Sequence, residues 1–211
     1  MQCVWIFREM RSGGTALMEL LSDRLNRPRH FVEAEIATSH PLSNQSDRLF
    51  STHNFSYLAD MNCYEDPLLI RCTRRNRVDQ YLSELMILWM GETVHKHLSV
   101  SERVYNIHPD TPHTFTDEFG LVEPTVITKN QLLNVHRMYM NSQRLWEEHS
   151  GAYRNITLYY EDLCEGVDIP ELGLTNCMLS DTRVVKLPDY KQRVFLNYDM
   201  IIKWTKELLS N

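Results

Sequence analysis

Four absences narrow what this chain of 211 residues can be. Its five cysteines (Cys3, Cys63, Cys72, Cys164 and Cys177) are odd in number, scattered, and form no C-x-x-C pair. That pattern does not indicate a disulfide framework and gives no zinc-binding spacing, so no metal is expected. No apolar run approaches the ~18 residues that a membrane-spanning helix needs. With no leader or anchor expected ahead of the first strand, the reading is a cytoplasmic protein without a membrane anchor. An excess of positive charge is also missing. The formal net charge of −6 argues against nucleic acid as a partner. Finally, there is no internal repeat, no low-complexity tract and no composition break, which predicts one domain spanning residues 1–211. A hydrophobic content of 43% suffices for its core.

What is present begins with the apolar run Cys3-Val4-Trp5-Ile6-Phe7, a predicted strand. A basic, glycine-containing turn follows, and then Leu17, Leu20, Leu21 and Leu25 at helical spacing. A strand, a tight turn and a helix form a cradle for an anion, because the first N–H groups of the helix point outward and its dipole is positive there. Gly13 and Gly14 let the chain turn and let a phosphate approach the backbone. Arg8 and Arg11 add full charges, while Ser12, Thr15 and Ala16 complete the turn. Thr15-Ala16 stand where a nucleotide-kinase loop has its lysine and hydroxyl, and the later strand Pro67-Leu68-Leu69-Ile70-Arg71-Cys72 ends without a magnesium-binding Asp. A Gly-Gly turn also serves merely to join a strand to a helix.

The second basic turn, Arg74-Arg75-Asn76-Arg77, leaves that later strand and opens a helix with Val78, Leu82, Leu85 and Trp89 on one face. Arg75 at the strand exit and Ser83 two turns into the helix could grip a second phosphate, the arginine by a bidentate contact. A solvated basic loop and a helix-surface serine are the alternative.

Together these segments resemble the sulfotransferases that use 3′-phosphoadenosine 5′-phosphosulfate (PAPS). Arg11-Ser12-Gly13-Gly14-Thr15-Ala16-Leu17 is similar to their 5′-phosphosulfate loop, (K/R)-S-G-T-T-x-L. The run from Arg75-Asn76 to Ser83 is similar to their 3′-phosphate motif, and Tyr160-Glu161-Asp162-Leu163 to their Y-E-D-L. Gly14 departs from the usual Thr. A second register, K-G-G-T aligned on Ser12-Gly13-Gly14-Thr15, would leave Arg11 one place early and make Arg8 the fallback cation. The resemblance implies an α/β fold with a mainly parallel central sheet flanked by helices, P-loop NTPase-like. It further implies PAPS as sulfuryl donor, 3′-phosphoadenosine 5′-phosphate (PAP) as product, and a hydroxyl or amine acceptor on a small molecule, carbohydrate or lipid.

In such a reaction the charge on the departing phosphate oxygen falls to Arg11 and the loop amides. The acceptor's proton needs a base. The resemblance offers His53, in Ser51-Thr52-His53-Asn54, or a glutamate after the second strand, Glu33 or Glu35. Lys186 and Arg193 are candidates to close over the nucleotide, although the family's G-x-x-G-x-x-K is absent. The Pro- and His-containing stretch around His108, Asp110 and His113 suggests a lid for acceptor recognition. Two other classes stay open: a metal-dependent nucleotide phosphotransferase, and a non-catalytic nucleotide-binding protein of the same fold.

Overall fold

The computed structural model describes residues 3–10, 12–31, 49–58, 66–94, 125–181 and 191–210. Arg11, Glu33, Glu35, Lys186 and the stretch around His108, Asp110 and His113 lie outside the described residues. Contacts divide the chain into two compact units. The first comprises Met1–Arg75 and Tyr139–Thr182, the second Asn76–Met138 and Arg183–Asn211.

The first unit is an α/β layer structure. Among its described residues, five strands form one parallel sheet in the order β2-β3-β1-β4-β5. They are β1 (Val4–Arg8), β2 (Arg29–Phe31), β3 (Leu49–Thr52), β4 (Leu68–Thr73) and β5 (Arg154–Tyr159). The alternation of β1 explains the two layers above and below it. Val4 and Ile6 join the aliphatic core with Leu17, Leu20 and Leu21 of helix α1 (Gly14–Leu25). Cys3, Trp5 and Phe7 point the other way, into an aromatic layer with Phe50, Phe55 and Trp146. Trp5 stacks on Phe50 at 4.8 Å between centroids, and Phe7 meets Trp146 edge-on at 6.0 Å. Each large apolar side chain so buried contributes roughly 1.5–3 kcal/mol relative to exposure.

The expectation of a parallel α/β sheet flanked by helices agrees with this arrangement. Beyond β5 the short helix α4 (Tyr160–Glu165) leads into an antiparallel hairpin of β6 (Val167–Ile169) and β7 (Leu174–Cys177). The sequence suggests only irregular chain there. Gly173, with φ of 65° at the end of the connecting turn Pro170–Leu172, permits the reversal.

The second unit contains α2 (Arg77–Val94), α5 (Lys191–Val194), α6 (Tyr198–Leu209) and the first part of α3 (Lys129–His149). Asn197 fastens its strand-like segment, donating to the Ile127 carbonyl at 2.8 Å and accepting from the Ile127 amide at 3.0 Å. Leu132, Val135, Tyr139 and Trp146 of α3 are buried, as their spacing predicts. Met138 and, on α6, Met200 are exposed. Each lies ~100° round the helix from a buried neighbour, Tyr139 or Ile201, on the outer side of the buried stripe. Among the described residues no helix is long and apolar enough to cross a membrane.

Candidate functional site

The strand order itself marks one edge of the first unit. The chain leaves β1 toward β2 and leaves β4 toward β5, so adjacent strands β1 and β4 send their connections in opposite directions. Ligands of open α/β sheets bind outside the carboxyl ends of the strands at such a switch point. The residues following β1, β3, β4 and β5 meet at this edge.

At the exit of β1, Gly13 adopts φ 79° and α1 begins directly at Gly14. No side chain caps this helix and its first turn holds no acidic residue. The N–H groups of Gly14, Thr15 and Ala16 therefore have no acceptor within the helix. Both glycines are required. A Cβ on Gly13 would stand 2.5 Å from the Tyr160 ring, and one on Gly14 would collide with the Arg8 side chain. Arg8 crosses the turn and donates from Nη1 to Thr15 Oγ1 at 3.2 Å. Its position explains why Gly stands at residue 14, where the resemblance would place Thr. Ser12 is 1% exposed, and its hydroxyl has no hydrogen-bond partner among the described residues. Buried hydroxyls are seldom left so, and the cost is on the order of 1–3 kcal/mol.

The rest of the turn is held firmly. The Glu9 amide donates to the Cys72 carbonyl at 3.1 Å, and the Ser12 amide to the Glu9 carbonyl at 3.2 Å. Tyr139 donates its hydroxyl to the Met10 carbonyl at 2.9 Å. The Cys72 thiol donates to the Ser12 carbonyl at 3.2 Å. Burial pushes this thiol up to about 12, so Cys72 is a neutral hydrogen-bond donor rather than a nucleophile. Underneath, the buried Glu9 carboxylate accepts from Arg71 Nε at 2.9 Å and from Thr73 Oγ1 at 2.7 Å. Sequence reasoning passed over this Glu9–Arg71–Thr73 network. A clue existed: Arg71 interrupts an otherwise apolar strand, and a buried charge needs a partner.

His53 directly follows β3, and its ring meets the Arg8 carbonyl at 2.8 Å through Nδ1. A carbonyl can only accept, so Nδ1 carries the hydrogen and Nε2 is the basic nitrogen of the neutral ring. The structure thus brings His53, Arg8 and the turn Ser12 to Ala16 together.

Arg75 follows β4 and is differently placed. Its guanidinium forms a two-pronged pair with Asp162 of α4, through Nη1 to Oδ1 and through Nη2 to Oδ2 at 2.7 Å. Its amide donates to Glu161 Oε2 at 3.0 Å, and its guanidinium lies 4.2 Å from the Tyr159 ring centre. Hydrogen bonding to Asp162 holds Arg75 above its ordinary value, and the same contact holds the Asp162 carboxyl below its own. The neighbouring Arg74 lies over Tyr160 at 4.1 Å. Tyr160 is thus in touch with both Arg74 and the Gly13 turn, a role not evident from sequence.

Ser83 and Arg193 belong to the second unit. Ser83 is buried on α2, and Arg193 falls within α5. In the same unit Asn76 Oδ1 accepts from the Asp79 amide at 3.0 Å and so caps α2, while Asp79 is paired with Lys191. Among the described residues no cluster of three His, Cys, Asp or Glu could hold a metal ion. Compared with family models, curated proteins and solved structures, the chain matches none.

Proposed function

We propose that this chain is a sulfotransferase that takes PAPS as donor on a P-loop NTPase-like fold and sulfates a hydroxyl or amine. The observation that carries the reading is the meeting, at one switch-point edge, of an uncapped helix start and a tautomer-fixed histidine. The donor set suits a phosphosulfate: three outward amides at Gly14 to Ala16, the buried Ser12 hydroxyl without a partner among the described residues, and Arg8 across the turn. The three motifs in family order support the same reading.

When bound, the donor supplies the sulfuryl group, and PAP is what remains of it. The amides of Gly14, Thr15 and Ala16, with Ser12 and Thr15, bind the 5′ anion, and Arg8 and Arg11 stabilise its negative charge. His53 accepts the acceptor's proton at Nε2, while the Arg8 carbonyl fixes the ring through Nδ1 and steadies the charged form. Glu33 and Glu35 are the competing candidates for this proton. Arg75 binds the 3′-phosphate, and the resemblance keeps Ser83, Lys186 and Arg193 as the further candidates for nucleotide contacts.

Calorimetric titration with PAP, with and without EDTA and beside 5′-AMP, tests the proposal. We expect PAP to bind more tightly than 5′-AMP and to be indifferent to EDTA. Binding that collapses in EDTA would point instead to a metal-dependent phosphotransferase. Consumption of PAPS against a panel of alcohols, sugars and amines separates the enzyme from a non-catalytic nucleotide-binding protein. In that assay His53→Ala should lower kcat by ~10²–10⁴ if His53 is the base. A loss below threefold would hand the role to a glutamate.

A further inference from the structure

We propose that Asp162 is an internal competitor for the 3′-phosphate at Arg75, an inference that rests on the sulfotransferase reading. A carboxylate and a phosphate offer a guanidinium the same pair of oxygens, so each can occupy the fork in full but not together. Asp162 takes both prongs of Arg75. The arginine is also steadied by contacts that an arriving phosphate would leave intact, its amide on Glu161 and its guanidinium over Tyr159. It therefore stays aimed when the carboxylate departs. The exchange takes place in water, because the two side chains are 53% and 33% exposed. Exposed ion pairs are weak, so Asp162 can be displaced readily.

The consequence is a grip that is deliberately moderated. A nucleotide with a 3′-phosphate must evict Asp162 to engage Arg75, and on departure the carboxylate takes the arginine back. Asp162 lowers affinity for PAP and hastens its release. A nucleotide with a 3′-hydroxyl leaves the pair undisturbed and is indifferent to Asp162.

The test compares PAP and 5′-AMP binding, with PAP dissociation rates, in the wild type, Asp162→Asn, Arg75→Ala and the double variant. Glu165→Gln serves as control, removing one negative charge from the same short helix. We expect Asp162→Asn to tighten PAP about two- to fivefold through slower release, the range in which exposed pairs act. Its 5′-AMP affinity should not change, Glu165→Gln should not reproduce the effect, and Arg75→Ala should abolish it. Asp162→Ser, checked with Asp162→Asn by thermal melting, guards against a misfolded variant. Unchanged or weaker PAP binding in both variants overturns the competition, as does a gain that persists without Arg75 or is shared by 5′-AMP. If the wild type shows no preference for PAP over 5′-AMP, the sulfotransferase reading itself fails and the competition falls with it. A wild-type preference without an Asp162 effect sinks the competition alone.

Discussion

The starts of α1 and α2 follow basic turns of similar composition, yet they are finished in opposite ways. Helix α2 is capped by Asn76, carries Asp79 in its first turn, and has that carboxylate paired with Lys191. Among the described residues, helix α1 has no side-chain cap, no first-turn acid, a left-handed glycine before it and a buried serine hydroxyl without a partner. The positive end of α2 is neutralised by the chain itself, as structural helices usually are. The positive end of α1 meets no side-chain cap and no first-turn acid among the described residues. A basic turn before a helix is thus no sufficient sign of an anion site. What differs between the two is whether the helix's own first amides already have an acceptor.

The firmness of the α1 turn is the first thing to challenge. Glu9→Ala would leave Arg71 buried without its counter-charge, and we expect ~3–5 kcal/mol of lost stability in urea unfolding. A loss below 1 kcal/mol would mean that the turn does not depend on this pair. Next is Gly13→Ala. It places a Cβ at φ 79° against Tyr160, which should cost about 1–3 kcal/mol and weaken PAP binding as well. Normal binding in a destabilised variant would separate the turn's shape from its ligand. The sharpest for the comparison is Ser12→Ala. Removing a buried hydroxyl that has no partner among the described residues relieves its cost, so stability should hold or rise by up to about 1–3 kcal/mol, while PAP affinity falls on the order of tenfold. Asn76→Ala should do the reverse, lowering stability by roughly 1 kcal/mol through its cap. Equal stability losses in the two variants would erase the contrast between the helix starts.

How much of this could be read from residues alone follows the range of the forces involved. The strand, turn and helix from Val4 to Leu25 were legible because their signals are local: an alternating apolar run, two glycines, and leucines at helical spacing. His53 at the end of β3 was legible through the resemblance, but its tautomer needs the Arg8 carbonyl, 45 residues away, to be known. Glu9 with Arg71 and Arg75 with Asp162 join residues 62 and 87 apart, and no local periodicity reports such pairs. The β6–β7 hairpin escaped because strands of three and four residues carry too little alternation to register.

The path of the chain through the sheet has a consequence for how it can be made. Leu68 of β4 pairs with Arg154 of β5, so the strand that completes the sheet emerges from the ribosome only after another eighty-odd residues. Until then β4 is an unprotected edge with apolar faces, open to wrong pairing. Such distant closure is slow, because the entropy of a long loop is lost before any ladder bond forms. A nascent chain halted between the two strands should therefore be far more prone to aggregate than the finished protein.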